Sequence, residues 1–195
     1  MPGPTVKVRM EENRRTGVRR RKPRSGSRVI ALGDLTEIAR SGNDQGDPMT
    51  APRFAFIKAN WHSDIVDRAL EGFLELIPAE QVDVFDVPGA FEMPLLARDL
   101  AETGIYGAVA AAALVVDGGI YRHDFVASAV VDGLMRASLD SSVPVLSVSL
   151  TPHQYRDDAH HNAIYGTHFV EKGREAARAA LAVVELRDSI AERLA

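Results

Sequence analysis

From Arg53 onward, the chain alternates short apolar runs with longer amphipathic stretches, and this pair of patterns repeats four times. The apolar runs predict four strands, over Phe54–Ala59, Val82–Val87, Ala108–Val116 and Val143–Leu150. The third run is continuously apolar, as expected of a strand that is covered on both faces. Strands that alternate with helices in this way predict a parallel sheet with helices packed on both sides.

Four helices are predicted between and after these strands. Ser63 or Asp64 caps the first helix, in which apolar residues recur at intervals of three and four positions. The second helix spans about Met93–Glu102, and the third begins at Asp124 or one of its neighbours. The last, over Glu171–Leu194, is about 36 Å long at 1.5 Å per residue and follows a polar, His-rich loop. The predicted architecture is an α/β three-layer sandwich with a central four-stranded parallel sheet.

The charge of the chain divides it into two parts. The first fifty residues hold eleven Lys or Arg and six Asp or Glu, a balance of +5, whereas the twelve basic and twenty-one acidic residues that follow give −9. The only apolar cluster in the basic part is Val29–Leu32, so residues 1–50 are predicted to be a disordered extension of a domain over 51–195. Met49 is a candidate for the biological start, which would make the preceding residues a gene-model artefact.

Composition excludes several classes of function. The chain has no Cys, which excludes disulfides, thiolate catalysis and thiolate zinc sites. Its longest apolar run, Ala108–Val116, has nine residues, well short of the roughly 20 that a membrane-spanning helix needs. We therefore expect no membrane partner, and the cytoplasm is the default location. The basic extension carries no aromatic residues for stacking on bases, which disfavours a nucleic-acid partner.

A metal site is not predicted either. Four of the six His residues lie within sixteen positions, at His153, His160, His161 and His168. Their spacing matches no metalloprotease helix motif and supplies no fixed ligand set. Contact with phosphate or plain solvent exposure is the preferred interpretation.

Ligands of open parallel sheets bind beyond the carboxyl ends of the strands. Trp61, the only Trp, follows the first strand and would offer a flat ring a stacking surface, although a core or interface role is the alternative. Gly89–Glu92 follows the second strand and offers backbone N–H groups at a helix N-terminus together with one carboxylate. Glu92 could equally be a first-turn acid that interacts with the helix dipole.

The loop after the third strand has the composition of an anion site. Gly118 and Gly119 precede Arg122 and His123, which stand just before a helix. The glycine spacing matches neither a Walker loop nor a dinucleotide fingerprint. His123 could transfer protons near neutral pH. A solvated or salt-bridged Arg–His pair is the alternative.

Taken together, these segments resemble the 6,7-dimethyl-8-ribityllumazine synthases of riboflavin biosynthesis, from about Arg53 to Leu194. The most specific motifs are FIKANWH over 56–62, FDVPGAFEMP over 85–94 and VDGGIYRHDFV over 116–126. The resemblance implies a flavodoxin-like fold and the condensation of 5-amino-6-(D-ribitylamino)uracil with 3,4-dihydroxy-2-butanone 4-phosphate. It implies these two small-molecule substrates and no metal or organic cofactor.

The resemblance also implies roles for individual residues. Trp61 would stack on the pyrimidine, and Val115 and Val116 would contact its edge through their backbone. The ribityl chain would bind at Ala90, Phe91 and Glu92. The phosphate-binding turn would consist of Gly119, Ile120 and Tyr121. Ser147 stands at the position that covers the ring from a neighbouring subunit, and His168 would contact the phosphate.

The sequence departs from the commonest family pattern at the proton-transfer position. Arg122 stands where the family usually has His, and His123 comes one residue later. A guanidinium stays protonated, so Arg122 is interpreted as a phosphate ligand and His123, substrate or water as the group that moves protons. This variant resembles the subclass that forms decamers, so a pentamer or a dimer of pentamers is expected.

Two alternatives to this enzyme remain at this point. The first is a paralogue that binds flavin or lumazine and catalyses only weakly. The second is a generic flavodoxin-like regulatory or sugar-binding domain, which is disfavoured because no acidic phosphoacceptor cluster with a partner Lys is evident.

Overall fold

The computed structural model describes residues 28–29, 51–119 and 122–194. The strands are β1 (Arg28–Val29), β2 (Arg53–Ala59), β3 (Val82–Val87), β4 (Tyr106–Leu114) and β5 (Val145–Leu150). The helices are α1 (Ser63–Leu74), α2 (Met93–Glu102), α3 (His123–Ser141) and α4 (Ala159–Leu194), with short 3₁₀ turns at Ala79–Gln81 and Ala90–Glu92.

The strands form one parallel sheet in the order β1-β3-β2-β4-β5. The four strands β2 to β5 confirm the predicted sheet, and β1 adds a two-residue strand at its edge, where Arg28 pairs with Asp83. These two residues belong to the segment predicted to be disordered. The rest of residues 1–50 lies outside the described residues, so the disordered extension and the start at Met49 stay predictions.

Helices cover both faces of the sheet, which confirms the three-layer sandwich. On one face, alternate strand residues such as Ile57 and Phe85 pack against α2 and α3. On the other face, Phe54 and Phe56 pack against α1 and α4. The Phe56 and Phe73 rings meet edge to face, with centroids 5.1 Å apart.

Helices α1 and α4 approach each other closely through two glycines. A β-carbon added to Gly72 would lie 1.9 Å from the carbonyl oxygen of Val170, and one on Gly173 would lie 1.9 Å from that of Ala69. Only glycine permits the two backbones to come this close. The crossing fixes the position of α1, which begins directly after the loop that carries Trp61.

The largest difference from the predicted elements is the start of α4. This helix begins at Ala159, twelve residues before the predicted Glu171, and is about 54 Å long at 1.5 Å per residue. Asp158 accounts for the early start, because its Oδ1 accepts the backbone N–H of His161 at 2.9 Å and its carbonyl accepts that of Asn162. Part of the predicted His-rich loop is therefore the first turns of the helix. Smaller shifts occur at β4, which begins at Tyr106, and at β5, which begins after Pro144.

Candidate functional site

The carboxyl ends of the four long strands meet at one edge of the sheet. Because neighbouring strands are parallel, the sheet order places four segments side by side at this edge: residues 88–92, 60–62, the described parts of the third loop (115–119 and 122–124), and 151–155. Among the described residues, all the predicted site residues except Ser147 and His168 belong to the first three of these segments.

Trp61 is exposed at this edge. Its side chain is 64% exposed, which makes the alternative of a core aromatic residue wrong. The backbone N–H of the preceding Asn60 donates to the Val87 carbonyl at 2.8 Å, which ties this loop to the end of β3. The indole lies close to Gly89, since a β-carbon there would be 3.6 Å from two of its ring carbons. One face of a large aromatic ring is thus presented beside the turn that follows β3.

The turn after β3 is built on Glu92. Its Oε2 accepts the backbone N–H of Gly89 at 2.9 Å and closes the 3₁₀ turn Ala90–Glu92 in front of α2. Glu92 therefore has the alternative role of an acid at the start of a helix, and this role leaves a contact with a ligand possible as well. The Ala90 side chain is buried, whereas that of Phe91 is 60% exposed.

A cleft of about 710 Å³ lies between the loops that follow β4 and β5. We call it the Arg122 cleft; its lining includes Asp117, Gly119, Arg122, His123, Thr151 and His153. Gly119 has a φ of 74°, a left-handed conformation that favours glycine, and its N–H donates to Asp117 Oδ1 at 2.8 Å. Ile120 and Tyr121 of the predicted phosphate turn lie outside the described residues.

Two valines connect this cleft to the sheet. Val115 is buried, and its backbone N–H donates to the Leu150 carbonyl at 2.9 Å. Val116 is half-buried at the next position. The backbone of the loop is therefore anchored at the end of β5 before it turns toward Gly119.

Arg122 is held by a carboxylate that lies close to it in the sequence. Its Nη2 lies 2.6 Å from Asp124 Oδ2 and its Nε lies 3.2 Å from Asp124 Oδ1, a bidentate pair. The guanidinium also stands 4.4 Å from the centroid of the Phe125 ring. The hydrogen bond and charge of Asp124 raise the pKa of Arg122, and Arg122 in turn lowers the pKa of Asp124. Arg122 therefore stays protonated, as the sequence interpretation requires.

A second cleft of about 640 Å³ adjoins the first and shares Thr151, Pro152 and His153 with it. We call it the His168 cleft, since His168 and His161 from α4 lie in its wall. Ser147 lies in the edge strand β5 with its side chain exposed. Within one copy of the chain, the structure does not bring Ser147 or His168 into the Arg122 cleft.

The described part of the chain contains no group of three or more His, Asp or Glu side chains that could hold a metal ion. Among the same residues, no helix combines the length and the apolar character needed to cross a membrane.

Sequence reasoning missed an aromatic cluster beside Trp61. The Tyr155 ring packs edge to face on that of His62 at 5.5 Å, and it also contacts His161 and Tyr165. The available signal was two tyrosines placed in and after the polar segment that follows the fourth strand. Their contact with His62 depends on chain segments about ninety residues apart, which no local pattern shows.

Lys58 was missed as well. Its Nζ lies 2.8 Å from Asp67 on α1 and 2.8 Å from Asp86 on β3. Burial works to lower the pKa of Lys58, but hydrogen bonds to the two carboxylates outweigh it and the pKa is raised. Lys58 thus ties α1 to the end of β3 just before Trp61.

Comparison with known proteins gives a consistent result. Residues 51–188 match the family model of 6,7-dimethyl-8-ribityllumazine synthase. A protein of that name from Rhodococcus erythropolis is 61% identical over 138 residues, which cover 68% of this chain and 89% of the relative. A 6,7-dimethyl-8-ribityllumazine synthase 2 from Pseudomonas syringae pv. tomato is 50% identical over 131 residues, covering 65% and 77%. Another from Bradyrhizobium diazoefficiens is 45% identical over 150 residues, covering 73% and 91%.

Proposed function

The chain belongs to the 6,7-dimethyl-8-ribityllumazine synthase family, and from this premise we propose that its two substrates meet between Trp61 and the Arg122 cleft. The protein is a transferase of riboflavin biosynthesis. Its reaction joins 5-amino-6-(D-ribitylamino)uracil to 3,4-dihydroxy-2-butanone 4-phosphate and gives 6,7-dimethyl-8-ribityllumazine, with release of phosphate and water. The observation that carries the placement is the exposed indole of Trp61 after β2, because β2 is the neighbour of β4 in the sheet and the loop after β4 carries Arg122 and His123 into the cleft.

The pyrimidine ring stacks on the free face of Trp61. Burial of a flat heterocycle against an indole is favourable, and the ring has space because Trp61 is largely exposed. The backbone of Val115 and Val116 contacts the edge of the pyrimidine. The ribityl chain runs along the turn at Ala90, Phe91 and Glu92, where the Glu92 carboxylate accepts hydroxyl hydrogen bonds.

The phosphate of the second substrate binds in the Arg122 cleft. The N-terminus of the nineteen-residue helix α3 supplies backbone N–H groups and the positive end of its dipole, and Arg122 supplies a permanent positive charge. Gly119, Ile120 and Tyr121 complete the phosphate-binding turn. His123, in the wall of the same cleft, moves protons.

The chemistry requires little beyond alignment and proton transfer. The amine of the uracil attacks the ketone, and loss of water gives an imine. Phosphate then leaves, and ring closure with loss of a second water gives the lumazine. Both reactants are intrinsically reactive, so holding them in contact supplies much of the acceleration. His123 accepts and returns protons at the amine and carbonyl centres.

The site is completed by a second copy of the chain, as a pentamer or a dimer of pentamers. Two implied ligand residues, Ser147 and His168, lie outside the Arg122 cleft of their own copy. Helix α3 also exposes Val131, Met135 and Leu139 at four-residue intervals, one apolar stripe on its outer face. An unburied stripe of this kind fits an interface between copies. The cytoplasm is the proposed location, because this biosynthetic step uses small phosphorylated metabolites made there.

Steady-state turnover with both substrates tests the proposal. We expect lumazine to appear with its characteristic fluorescence, and Trp61→Ala to raise the KM for the ribitylaminouracil by about five- to 150-fold, since stacking contributes roughly 1–3 kcal/mol. Trp61→Phe keeps a stacking ring and serves as the control. Binding of lumazine or flavin without turnover would instead support the weakly catalytic paralogue.

A further inference from the structure

His62, the residue after Trp61, has an unusual backbone conformation. Its φ of 54° and ψ of 39° are left-handed, and among the described residues other than glycine only Ser142 shares a positive φ. Such a conformation disfavours a residue with a β-carbon and persists where the surroundings hold it. The His62 carbonyl accepts the N–H groups of Ile65 and Val66, so this conformation also starts α1.

The ring of His62 is held from the other side of the site. It meets the Tyr155 ring edge to face, with centroids 5.5 Å apart and planes at 80°. The Tyr155 hydroxyl donates to Asn162 Oδ1 at 2.8 Å, and its ring packs on Tyr165 at 5.6 Å. Burial, with the carboxylates of Asp157 and Asp64 nearby, raises the pKa of Tyr155 to about 12, so the hydroxyl stays a donor at neutral pH.

Trp61 stands between two fixed neighbours. On one side, the Asn60 N–H is bonded to the Val87 carbonyl at 2.8 Å; on the other side is the left-handed His62. One side of the indole lies close to Gly89, and most of the ring is exposed. The backbone on each side of the indole is therefore held, by the Asn60–Val87 hydrogen bond before it and by the left-handed His62 after it.

We propose that Tyr155 is a positioning residue: through the ring of His62 it holds the backbone that presents Trp61 to the pyrimidine. The inference rests on the proposed role of Trp61 and adds a residue from the loop after β5 to it. Tyr155 touches neither substrate, and its effect is on ring binding and not on the chemical steps.

Trp61 provides a direct readout because it is the only Trp in the chain. Titration of the full-length protein with 5-amino-6-(D-ribitylamino)uracil alone, followed by intrinsic fluorescence, reports the Kd for the ring. We expect quenching in the unmodified protein and a Kd about three- to tenfold higher in Tyr155→Leu, the range expected for one edge-to-face aromatic contact. The KM for this substrate should rise by the same factor, with kcat nearly unchanged.

Three further variants separate positioning from general stability. Tyr155→Phe keeps the ring and should bind within about twofold of the unmodified protein. His62→Gly adopts the left-handed conformation readily but lacks the ring, and combined with Tyr155→Leu it should weaken binding no more than either change alone. Phe73→Leu, in the core against Phe54 and Phe56, should lower the Tm and leave the Kd unchanged.

The possible outcomes are distinguishable. If the unmodified protein is quenched and Tyr155→Leu binds with the same Kd, the inference is overturned and the proposed function stands. Additive effects of His62→Gly and Tyr155→Leu would also overturn it. If the unmodified protein shows no quenching at saturating substrate, the ring-binding role of Trp61 fails and the inference fails with it.

Discussion

The carboxylate of Asp124 holds the guanidinium of Arg122 in a two-point contact, with Nη2 and Oδ2 2.6 Å apart, at the first turn of α3. The cation that the proposed phosphate site depends on is thus already paired with an anion of its own chain. Both side chains are well exposed, so the pair is weak and screened by solvent. A phosphate that enters the cleft can therefore exchange with Asp124 at little cost.

Removal of either partner of this pair should change the affinity for the phosphate-bearing substrate, in opposite directions. Arg122→Gln should raise the KM for the butanone phosphate by about ten- to a hundredfold, the range for loss of a charge-assisted hydrogen bond. Asp124→Asn removes the competing anion and should lower that KM by about two- to fivefold, in line with an exposed ion pair. Initial rates at varied butanone phosphate and saturating uracil substrate measure both effects.

Arg136→Gln is the matched control for charge, because Arg136 is exposed on α3 well away from the cleft. It should leave the KM within about twofold of the original, as expected for a distant surface charge. An unchanged KM in Arg122→Gln would contradict the assignment of phosphate binding to the guanidinium.

His123 should affect the rate more than substrate affinity. His123→Gln keeps a polar side chain of similar size but cannot transfer protons, so kcat should fall by about a hundredfold or more. The KM values for both substrates should change little. Single-turnover lumazine formation, followed by absorbance at saturating substrates, isolates the chemical steps. A kcat close to that of the unmodified protein would assign proton transfer to substrate or water instead.

The helices and strands could be predicted from the sequence where the hydrophobic pattern and the flanking turn residues agree with the packing in the fold. Strand β3 and helix α2 have the predicted bounds of Val82–Val87 and Met93–Glu102, because alternation and a clear three-to-four periodicity lie between turn residues. The sequence predicts a loop for the first turns of α4, because three polar residues, His160, His161 and Asn162, follow one another and apolar Ile164 is 51% exposed, so the helical period is hidden. The signal was there in Asp158, an N-cap residue placed just before Ala159.

The site was less predictable, because its decisive relationships join distant segments. The sequence left Trp61 open to a core position, and only the folded neighbours of the indole show it exposed beside Gly89. The family resemblance indicated the segments that carry the proposed site. It did not show that Arg122 is paired with Asp124 or that Tyr155 packs on His62, since these depend on side-chain geometry.

Two glycines of the same helix should respond oppositely to alanine. Gly173→Ala places a β-carbon 1.9 Å from the Ala69 carbonyl oxygen, so α1 and α4 must move apart. We expect a loss of about 3 kcal/mol or more, equivalent to roughly 6–12 °C in Tm.

In Gly166→Ala, the new carbon meets only Arg68 Cγ at 3.7 Å, an ordinary contact. Helix propensity should then make this variant equally or slightly more stable, by up to about 1 kcal/mol. Thermal unfolding by circular dichroism compares the two, and equal Tm values would contradict the close helix crossing.

A charge placed on the outer face of α3 should separate the copies of the chain and abolish turnover together. Met135 and Leu139 are 59% and 71% exposed one turn apart, which suits a surface buried between copies but not one in water. Met135→Glu and Leu139→Glu would bury an unpaired carboxylate in that interface, so the assembly should dissociate while each copy keeps its fold. Leu76→Glu, at a side chain that is 43% exposed just after α1 and is not part of an apolar stripe, is the control and should leave the assembly intact. Size-exclusion chromatography with light scattering gives the mass, and lumazine formation gives the activity.

Because Ser147 and His168 are proposed to act on the site of a neighbouring copy, the dissociated variants should be inactive even at high substrate concentration. A monomeric variant with full turnover would show that one copy holds a complete site.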